Sequence, residues 1–350
     1  MNLGTSTTPT RSRGRSGRRR TAALAALTAA SLILTGCTHG DGKDKDKGSN
    51  SSSASGSSSD KAGEITLKTS WGEASYPKNP KRVIATGTAV DNLLALGIKP
   101  SAIITLPSEK PSPWLKDKLK GVKVITAKSD TELPAEAIAS DKPDLIVGDY
   151  WRITEQNYNL LKNIAPTLGA TGTHGADIGW ASQLTQLGKL FGKEEDAKKV
   201  IAEDHKRFEE TKKDIPGLAG KTGVVVQFLG DSKQFGVVAD PKEPGNSFLY
   251  DLGMTVPDSV LNLPNNKSGR ALVSGENIKA LNADFMAVYS QSGTDAEMRQ
   301  TPGYSDLTQV RKDSTKIGDA MFVQGLNVPS SLSREWLLKE LRPQLKNAAK

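Results

Sequence analysis

Cysteine and histidine are scarce in this sequence of 350 residues, and their scarcity restricts its chemistry. Cys37 is the only cysteine, so the chain cannot form an intramolecular disulfide. A zinc or manganese carrier needs clustered histidine and carboxylate ligands, whereas the three histidines of this chain are far apart in the sequence. They are His39, His174 and His205. On helical spacing His205 lies beside Ile201 and Phe208, so we expect a packed structural side chain and no direct protein ligand to a metal.

Motifs of nucleotide-binding and hydrolytic enzymes are also missing. The sequence contains no Gly-x-x-x-x-Gly-Lys-Ser/Thr phosphate loop and no Gly-x-Ser-x-Gly nucleophile elbow. Gly87-Thr88, after an apolar run, is too little for a dinucleotide fingerprint. We therefore expect no catalytic constellation and no cofactor, and we predict that the protein is not an enzyme.

Residues 1–36 have the composition of an export signal. Six arginines and no acidic residue precede an apolar run that ends in Leu34-Thr35-Gly36-Cys37. This run is too short to span a bilayer comfortably. The ending resembles a bacterial lipobox, which implies removal of residues 1–36 and lipidation of Cys37; the alternative is an ordinary signal peptide with an incidental cysteine. Arg18-Arg19 resembles a twin-arginine signal, so both Sec and twin-arginine export stay open.

Charge and composition change after this leader. The formal charge of the whole chain is +8, and the six leader arginines account for all but +2 of it. The high pI of 9.3 is therefore no argument for nucleic-acid binding. Residues 37–64 are mostly Ser, Gly, Asp and Lys, and we expect a disordered linker there. The remaining sequence is long enough for two domains with one core each.

A helix of unusual composition is predicted over residues 193–215. This segment has no Gly and no internal Pro, and it is rich in Ala, Glu and Lys. Its apolar residues form one thin stripe, and they are Ala197, Val200, Ile201, Phe208 and Ile215. A helix with so narrow an apolar face lies along a surface. We interpret it as a rod about 35 Å long that joins two α/β lobes, 65–192 and 216–350, with a ligand cleft between them.

Short apolar runs alternate with helical segments in the first lobe. Strands are predicted at 82–87, 101–105, 123–127 and 144–148, and helices at 90–96, 114–119, 135–140 and 154–164. This alternation predicts a mainly parallel sheet that is covered on both faces. Ligands of such sheets bind beyond the carboxyl ends of the strands.

The residues just after these strands are the candidate ligand contacts of the first lobe. Tyr150-Trp151-Arg152 directly follows a buried strand, and two aromatic rings with a guanidinium suit a bulky, partly anionic ligand. The alternative is that Trp151 packs on the neighbouring helix while Arg152 is solvated. Trp114 is a second candidate wall of the cleft, unless it anchors its own Pro-rich loop, and Lys128 follows another strand.

The second lobe has a similar pattern. Strands are predicted at 222–229, 235–239, 284–290 and 321–324, and helices at 246–252, 277–281 and 334–345. The cleft candidates of this lobe lie at or beyond strand ends, or in the loop before Leu272. They are Gln227, Phe228, Phe235, Lys267, Arg270, Tyr289, Phe322 and Gln324.

The order and spacing of these segments resemble the substrate-binding proteins of ABC importers for ferric siderophores, haem and cobalamin. The resemblance begins with NPKRVIATGTAVDNLLALGIKPSAI, continues through LPAEAIASDKPDLIVGD and NLLKNIAPTL, and covers nearly all of 75–345. It implies the class III periplasmic binding protein fold, in which two Rossmann-like α/β lobes are joined by a single long α-helix. Arg270 matches the cleft stretch of ferric-hydroxamate binders, although Lys267 and Ser268 stand where those relatives often have an aromatic residue.

The resemblance also implies a partner in the membrane. Glu136 and Glu276 fall where the family carries one glutamate in each lobe to dock on arginines of the permease. The alternative for each is a carboxylate that is favoured by a helix N-terminus, and the two interpretations are compatible.

The leading hypothesis is a lipid-anchored monomer on the extracytoplasmic face of the cell membrane that delivers an iron(III)–siderophore complex to an ABC importer. Aromatic walls and a few Arg, Lys and Gln donors favour a ferric hydroxamate, but basic residues such as Arg152 and Arg270 leave a more anionic catecholate complex open. Haem or cobalamin carriage is the alternative within the family, with Tyr150 or Tyr289 as an axial ligand of haem. A cell-surface α/β enzyme and a structural or adhesive lipoprotein are the alternatives outside it.

Overall fold

The computed structural model describes residues 63–107, 109, 112–129, 132–173, 175–264 and 269–350. The predicted leader, Cys37 and Lys267 lie outside these ranges. The strands within them are β1 (Glu64–Thr69), β2 (Gly72–Pro77), β3 (Val83–Thr86), β4 (Ala102–Thr105), β5 (Lys123–Thr126), β6 (Leu145–Gly148), β7 (Thr167–Leu168), β8 (Gly223–Leu229), β9 (Gln234–Val238), β10 (Arg270–Ser274), β11 (Phe285–Ser292) and β12 (Thr315–Ile317).

The α-helices of the same ranges are α1 (Ala89–Ala95), α2 (Ala135–Ser140), α3 (Glu155–Leu161), α4 (Trp180–Phe191), α5 (Glu194–Asp214), α6 (Ser247–Asp251), α7 (Asp258–Leu261), α8 (Asp295–Arg299), α9 (Thr308–Arg311), α10 (Ala320–Asn327), α11 (Ser331–Glu340) and α12 (Arg342–Ala348). Short 3₁₀ helices lie at Gly175–Ile178, Pro216–Leu218, Pro244–Asn246, Gly275–Leu281 and Tyr304–Asp306. None of the helices in the described part of the chain combines the length and the apolar character needed to cross a membrane.

The first sheet has the strand order β5-β4-β3-β6-β7, and all of its strands are parallel, as predicted. Alternate residues of the central strand β3 enter different cores, because successive side chains of a strand point to opposite faces. Val83 and Ala85 pack on one face with residues of α1 and α4, whereas Ile84 packs on the other face with residues of α2 and α3. This sheet and helices α1 to α4 form the first lobe.

The second sheet is mixed, with the order β10-β9-β8-β11-β12. β8, β11 and β12 are parallel to one another, while β9 runs antiparallel to both β8 and β10. The sheet and helices α6 to α12 form the second lobe. The prediction of a strand over Met321–Gln324 is wrong, since these residues lie in α10. The Asp319 carboxylate accepts a hydrogen bond from the amide of Phe322 at 2.9 Å and so caps the start of this helix.

Two further segments differ from the predictions. Residues 114–119 form successive turns rather than a helix. The closing segment is two helices, α11 and α12, because Pro343 lies in the first turn of α12 and has no N–H to continue the helix before it. The hairpin of β1 and β2 is not predicted from the sequence, and the hydroxyl of Tyr76 joins it to the first sheet by donating to the carbonyl of Thr167 at 3.0 Å.

α5 confirms the predicted connecting rod, with 21 residues from Glu194 to Asp214. Ala197 is buried in the core of the first lobe, and Phe208, about three turns further along, is buried in the core of the second. The two ends of one continuous helix therefore belong to different lobes. The prediction of a packed His205 is wrong, because this side chain is exposed on the outer face of α5.

A buried ion pair attaches the second half of α5 to the second lobe. Arg334 of α11 donates through Nε to the two carboxylate oxygens of Asp204 at 3.2 and 3.0 Å, and through Nη2 to Asp251 at 2.6 Å. Its guanidinium also lies over the ring of Phe208, 3.9 Å from the ring centroid. Arg334 and Asp204 are each only 1% exposed. Burial raises the pKa of the Asp204 carboxyl, and the adjacent Arg334 opposes that rise.

Replacing Arg334 by methionine should therefore destabilise the fold strongly. The change leaves Asp204 buried without its cation, and the expected loss in the free energy of unfolding is about 3–5 kcal/mol. Urea denaturation measures this loss. The matched control is Arg342→Met, which removes an exposed pair with Asp214 (Nη2–Oδ2 2.9 Å) and should cost less than about 1 kcal/mol. Equal stability of the two variants would contradict the anchoring role of Arg334.

Candidate functional site

The Tyr150–Arg152 triplet is held in place by the buried carboxylate of Asp149, the first residue after β6. Asp149 Oδ1 accepts hydrogen bonds from the backbone amides of Trp151 and Arg152, each at 3.0 Å. Its Oδ2 accepts from the amide of Thr88, beyond the end of β3, at 2.8 Å. Burial raises the pKa of Asp149, although these hydrogen bonds favour its charged form. One carboxylate thus ties together the carboxyl ends of two neighbouring strands.

Gly87 makes this arrangement possible. Its φ is +60°, which is a conformation that favours glycine, and a side chain at this position would collide with the Asp149 carboxylate. The turn after β3 therefore approaches Asp149 more closely than any other residue would allow.

The three side chains of the triplet have different environments. Trp151 is 40% exposed, and its ring centroid lies 5.2 Å from that of Tyr150. Arg152 is not solvated: it is buried, and its guanidinium forms an ion pair with the carboxylate of Glu109. Trp151 is thus the member of the triplet that presents an accessible ring.

Strand register explains which second-lobe candidates share a surface. Gln227 of β8 pairs with Tyr289 of β11, and the register through β9 places Arg270 on the same face. All three are partly exposed. Phe228 and Phe235 occupy alternate positions on the opposite face and are 2% and 1% exposed, so they belong to the core and have no surface for a ligand.

The two lobes bring Tyr150 close to Arg270. Burial, followed by the charge of the nearby Glu243, raises the pKa of Tyr150, while Arg270 opposes that rise. Burial lowers the pKa of Arg270, and the same Tyr150 and Glu243, with Tyr289, act in the other direction. Arg270 Nη1 also donates to Asn327 Oδ1 of α10 at 3.2 Å. We call Tyr150, Glu243, Arg270 and Tyr289 the cross-lobe cluster.

Two buried oxygens of the cross-lobe cluster find no hydrogen-bond partner among the described residues. They are the hydroxyl of Tyr150 and Oε2 of Glu243. Buried polar atoms are nearly always paired in folded proteins, so the hydroxyl of Tyr150 is a candidate donor to a ligand at this place.

The described residues also enclose a cavity of about 620 Å³. It lies between the carboxyl ends of β3 and β4, the segment 112–120 and helix α10, so both lobes line it. Trp114 and Gln324 are the predicted contacts that face this cavity. Gln324 does so from a helix rather than from the predicted strand.

Trp114 is also a contact between the lobes. Its ring lies 5.4 Å from the ring of Trp336 in α11, and its Nε1 donates to Asp91 Oδ1 at 2.6 Å. The same oxygen of Asp91 accepts from Ser330 Oγ, just before α11, also at 2.6 Å. Asp91 lies in the first turn of α1, so its carboxylate joins the first lobe to the second. Burial raises the pKa of Asp91 to about 6, against the effect of these two hydrogen bonds.

The remaining predicted residues lie elsewhere. Phe322 is 3% exposed and belongs to the core of the second lobe. Lys128 is exposed after β5 and pairs with Glu132, with Nζ and Oε1 2.6 Å apart. Glu136 in α2 and Glu276 in a 3₁₀ helix are both exposed in the first turn of their helices.

Three acidic residues near the cleft were not identified from the sequence. They are Asp91, Glu109 and Glu243. Asp91 carries a recognisable signal, since it interrupts the apolar run Ala89-Val90 and Leu93-Leu94 at the start of a helix. Within the described ranges no group of three or more His, Cys, Asp or Glu side chains is arranged to hold a metal ion.

Two α/β lobes joined by one long helix are the architecture of class III periplasmic binding proteins. The family described as Periplasmic binding protein matches residues 83–320, which is well over half of the chain. The chain belongs to this family.

Two relatives from Bacillus subtilis (strain 168) are similar in sequence. One, named "Probable siderophore-binding lipoprotein YfiY", is 34% identical over 241 residues, covering 66% of this chain and 70% of the relative. The other, named "Iron(3+)-hydroxamate-binding protein YxeB", is 27% identical over 273 residues, covering 75% and 81%. The fold is similar to that of PiaA from Streptococcus pneumoniae TIGR4, solved in complex with ferrichrome, with a TM-score of 0.67 at 23% identity over 81% of this chain and 98% of PiaA.

The raised pKa of Asp91 predicts a pH dependence of stability. The folded state, with a pKa of about 6, binds a proton more tightly than the unfolded chain, with its ordinary value of 3.8. The stability of the wild type relative to Asp91→Asn should therefore fall as pH rises from about 4 to about 6, by on the order of 3 kcal/mol, and then stay level.

Denaturation of both proteins across this pH range measures the difference. The control is Asp117→Asn, at an exposed residue on the rim of the same cavity, which should leave the pH profile of the wild type unchanged. A constant difference between wild type and Asp91→Asn across the range would refute the assignment.

Proposed function

We propose that the protein is an extracytoplasmic substrate-binding protein that captures an iron(III)–siderophore complex, preferentially a ferric hydroxamate, and delivers it to an ABC importer. The observation that carries the proposal is that Tyr150 of the first lobe and Arg270 of the second lie near enough for the charge of each to affect the pKa of the other, beside the accessible ring of Trp151. Family membership and the names of the Bacillus relatives support the same function.

The charges around the cleft favour a hydroxamate over a catecholate complex. A ferric catecholate carries about three negative charges and requires a dense group of cations. Arg152 pairs with Glu109, Arg270 lies near Glu243, and Lys128 pairs with Glu132 on the outside of the first lobe. Each of the two arginines near the cleft therefore has a carboxylate close to its guanidinium. Aromatic surface and a few donors suit the less charged hydroxamate complex.

Haem carriage is less well supported. An axial tyrosine binds iron as a phenolate, and burial raises the pKa of both Tyr150 and Tyr289 away from that form. The cargo is released unchanged in this proposal, so the protein acts as a carrier and not as an enzyme.

The membrane location forms part of the proposal. Lipidation of Cys37 attaches the protein to the outer face of the cell membrane, and the Ser- and Gly-rich residues 37–64 connect this anchor to the first lobe. The name of one Bacillus relative contains the word lipoprotein, which supports this anchor. We propose that the protein works as a monomer at this surface.

Titration of the purified protein with ferrioxamine, ferrichrome, ferric enterobactin, haemin and cobalamin tests the proposal. We expect saturable quenching of tryptophan fluorescence by a ferric hydroxamate. In Trp151→Ala the affinity for that ligand should fall about tenfold, because the accessible ring is lost, while the free energy of unfolding changes by less than about 1 kcal/mol.

Leu160→Ala is the control for this variant, since Leu160 is similarly exposed, at 39%, on α3. Its affinity should equal that of the wild type in calorimetric titration. A flat response of the wild type to all five ligands would refute the carrier function.

Docking on the permease is a separate prediction. The double variant Glu136→Ala/Glu276→Ala should keep its affinity for the siderophore within about twofold and lose import, because both carboxylates are exposed and neither takes part in the cleft contacts described above. Binding is measured by calorimetry and import by uptake of ⁵⁵Fe into cells that contain the cognate importer. Glu155→Ala, at another exposed carboxylate in the first turn of a helix, should keep full import. A loss of binding in the double variant would contradict the docking assignment.

A further inference from the structure

The cavity lined by both lobes is apolar inside. Its buried walls include Val90, Ile103, Ile104, Leu115 and Met321, while the lysines that line it, at 116 and 120, are exposed. Its volume of about 620 Å³ lies within the range of sites for small molecules.

Three carboxylates line this cavity; Asp117 is exposed at its rim, and the other two are already engaged. Asp91 Oδ1 accepts from both Trp114 and Ser330. Glu109 forms an ion pair with Arg152, and its Oε2 accepts from the backbone amide of Leu106 at 2.9 Å. What remains for an occupant is mainly hydrocarbon surface, which does not suit the charged or oxygen-rich part of an iron chelate.

The cluster residues do not line the cavity, but two contacts connect its walls to the cross-lobe cluster. The first is the Glu109–Arg152 pair, since Glu109 lines the cavity and Arg152 follows Tyr150 and Trp151 in the chain. The second is α10, whose Gln324 faces the cavity while Asn327, almost one turn further along, accepts from Arg270. A ligand held at the cluster therefore lies within reach of the cavity.

We propose that this cavity is a subsite for an aliphatic arm of the bound siderophore, so that the protein selects hydroxamates that carry a hydrocarbon chain. The inference rests on the proposed function, because the iron-bearing part of the ligand must be held at the cluster. Burial of the chain against Ile103, Leu115 and Met321 then strengthens binding in proportion to the apolar area removed from water.

The test compares two probes that differ only in such a chain. These are two derivatives of ferrioxamine B in which the terminal amine has become a neutral amide, one with an acetyl group and one with an octanoyl group. Calorimetric titration of the wild type should give a dissociation constant at least about tenfold lower for the octanoyl probe, because several methylene groups enter the cavity.

Two variants test whether the higher affinity for the longer chain arises in this cavity. Val328→Trp fills it from the end of α10, and Val124→Glu places a carboxylate at its 55% exposed rim, where folding is not at risk. In each variant the ratio of the two dissociation constants should fall toward one. Leu160→Trp, on the exposed face of α3, is the control and should keep the ratio of the wild type.

The outcomes separate the two proposals. If the acetyl probe binds but the octanoyl probe has no advantage, or keeps its advantage in both variants, the subsite is refuted and the carrier function stands. If neither probe binds and no other ferric hydroxamate does, the carrier function fails and the subsite fails with it.

Discussion

The buried pairing of Arg334 with Asp204 is the contact on which the geometry of the cleft depends. It fixes the second half of α5 to α11, while Ala197 fixes the first half in the core of the first lobe. A helix held in this way has no hinge along its length, since its interior has neither Gly nor Pro. The packing of α5 therefore helps to set the position of Arg270 relative to Tyr150, together with the contact of Asp91 with Ser330 between the lobes.

Two other buried carboxylates, Asp149 and Asp91, also hold the cleft in its geometry. Asp149 acts within the first lobe, where its hydrogen bonds to backbone amides hold the turns after β3 and β6 and so fix the backbone that carries the exposed Trp151. Asp91 acts between the lobes, through Ser330 and Trp114. Both carboxylates are placed where burial disfavours their charge, and both are compensated by donors from the backbone or from side chains. The buried hydrogen bonds of Asp149 and Asp91 thus hold the residues around the cleft in place within a mostly apolar interior.

Local sequence pattern was sufficient for four of the five strands of the first sheet and for α5, because these signals depend on periodicity; the two-residue strand β7 was not predicted. This pattern was insufficient for deciding which face of a strand each residue occupies, because adjacent residues point to opposite faces. Gln227 and Phe228 are neighbours in the chain, yet the first lies on the partly exposed face and the second in the core. It also failed for contacts made across the fold, such as the pairing of Glu109 with Arg152, which are separated by 43 positions. The helix over Met321–Gln324 was missed because its apolar run has the length of a strand and only the cap at Asp319 distinguishes it.

The continuity of α5 has a consequence for how this chain tolerates insertions and deletions. One residue added to a continuous α-helix turns everything beyond it by about 100° and moves it by about 1.5 Å. In α5 such a change would rotate the second sheet against the first and separate Tyr150 from Arg270. The number of residues between Ala197 and Asp204 is therefore as much a determinant of ligand recognition as any side chain in the cleft. The residues between these two positions do not line the cavity of the cleft themselves.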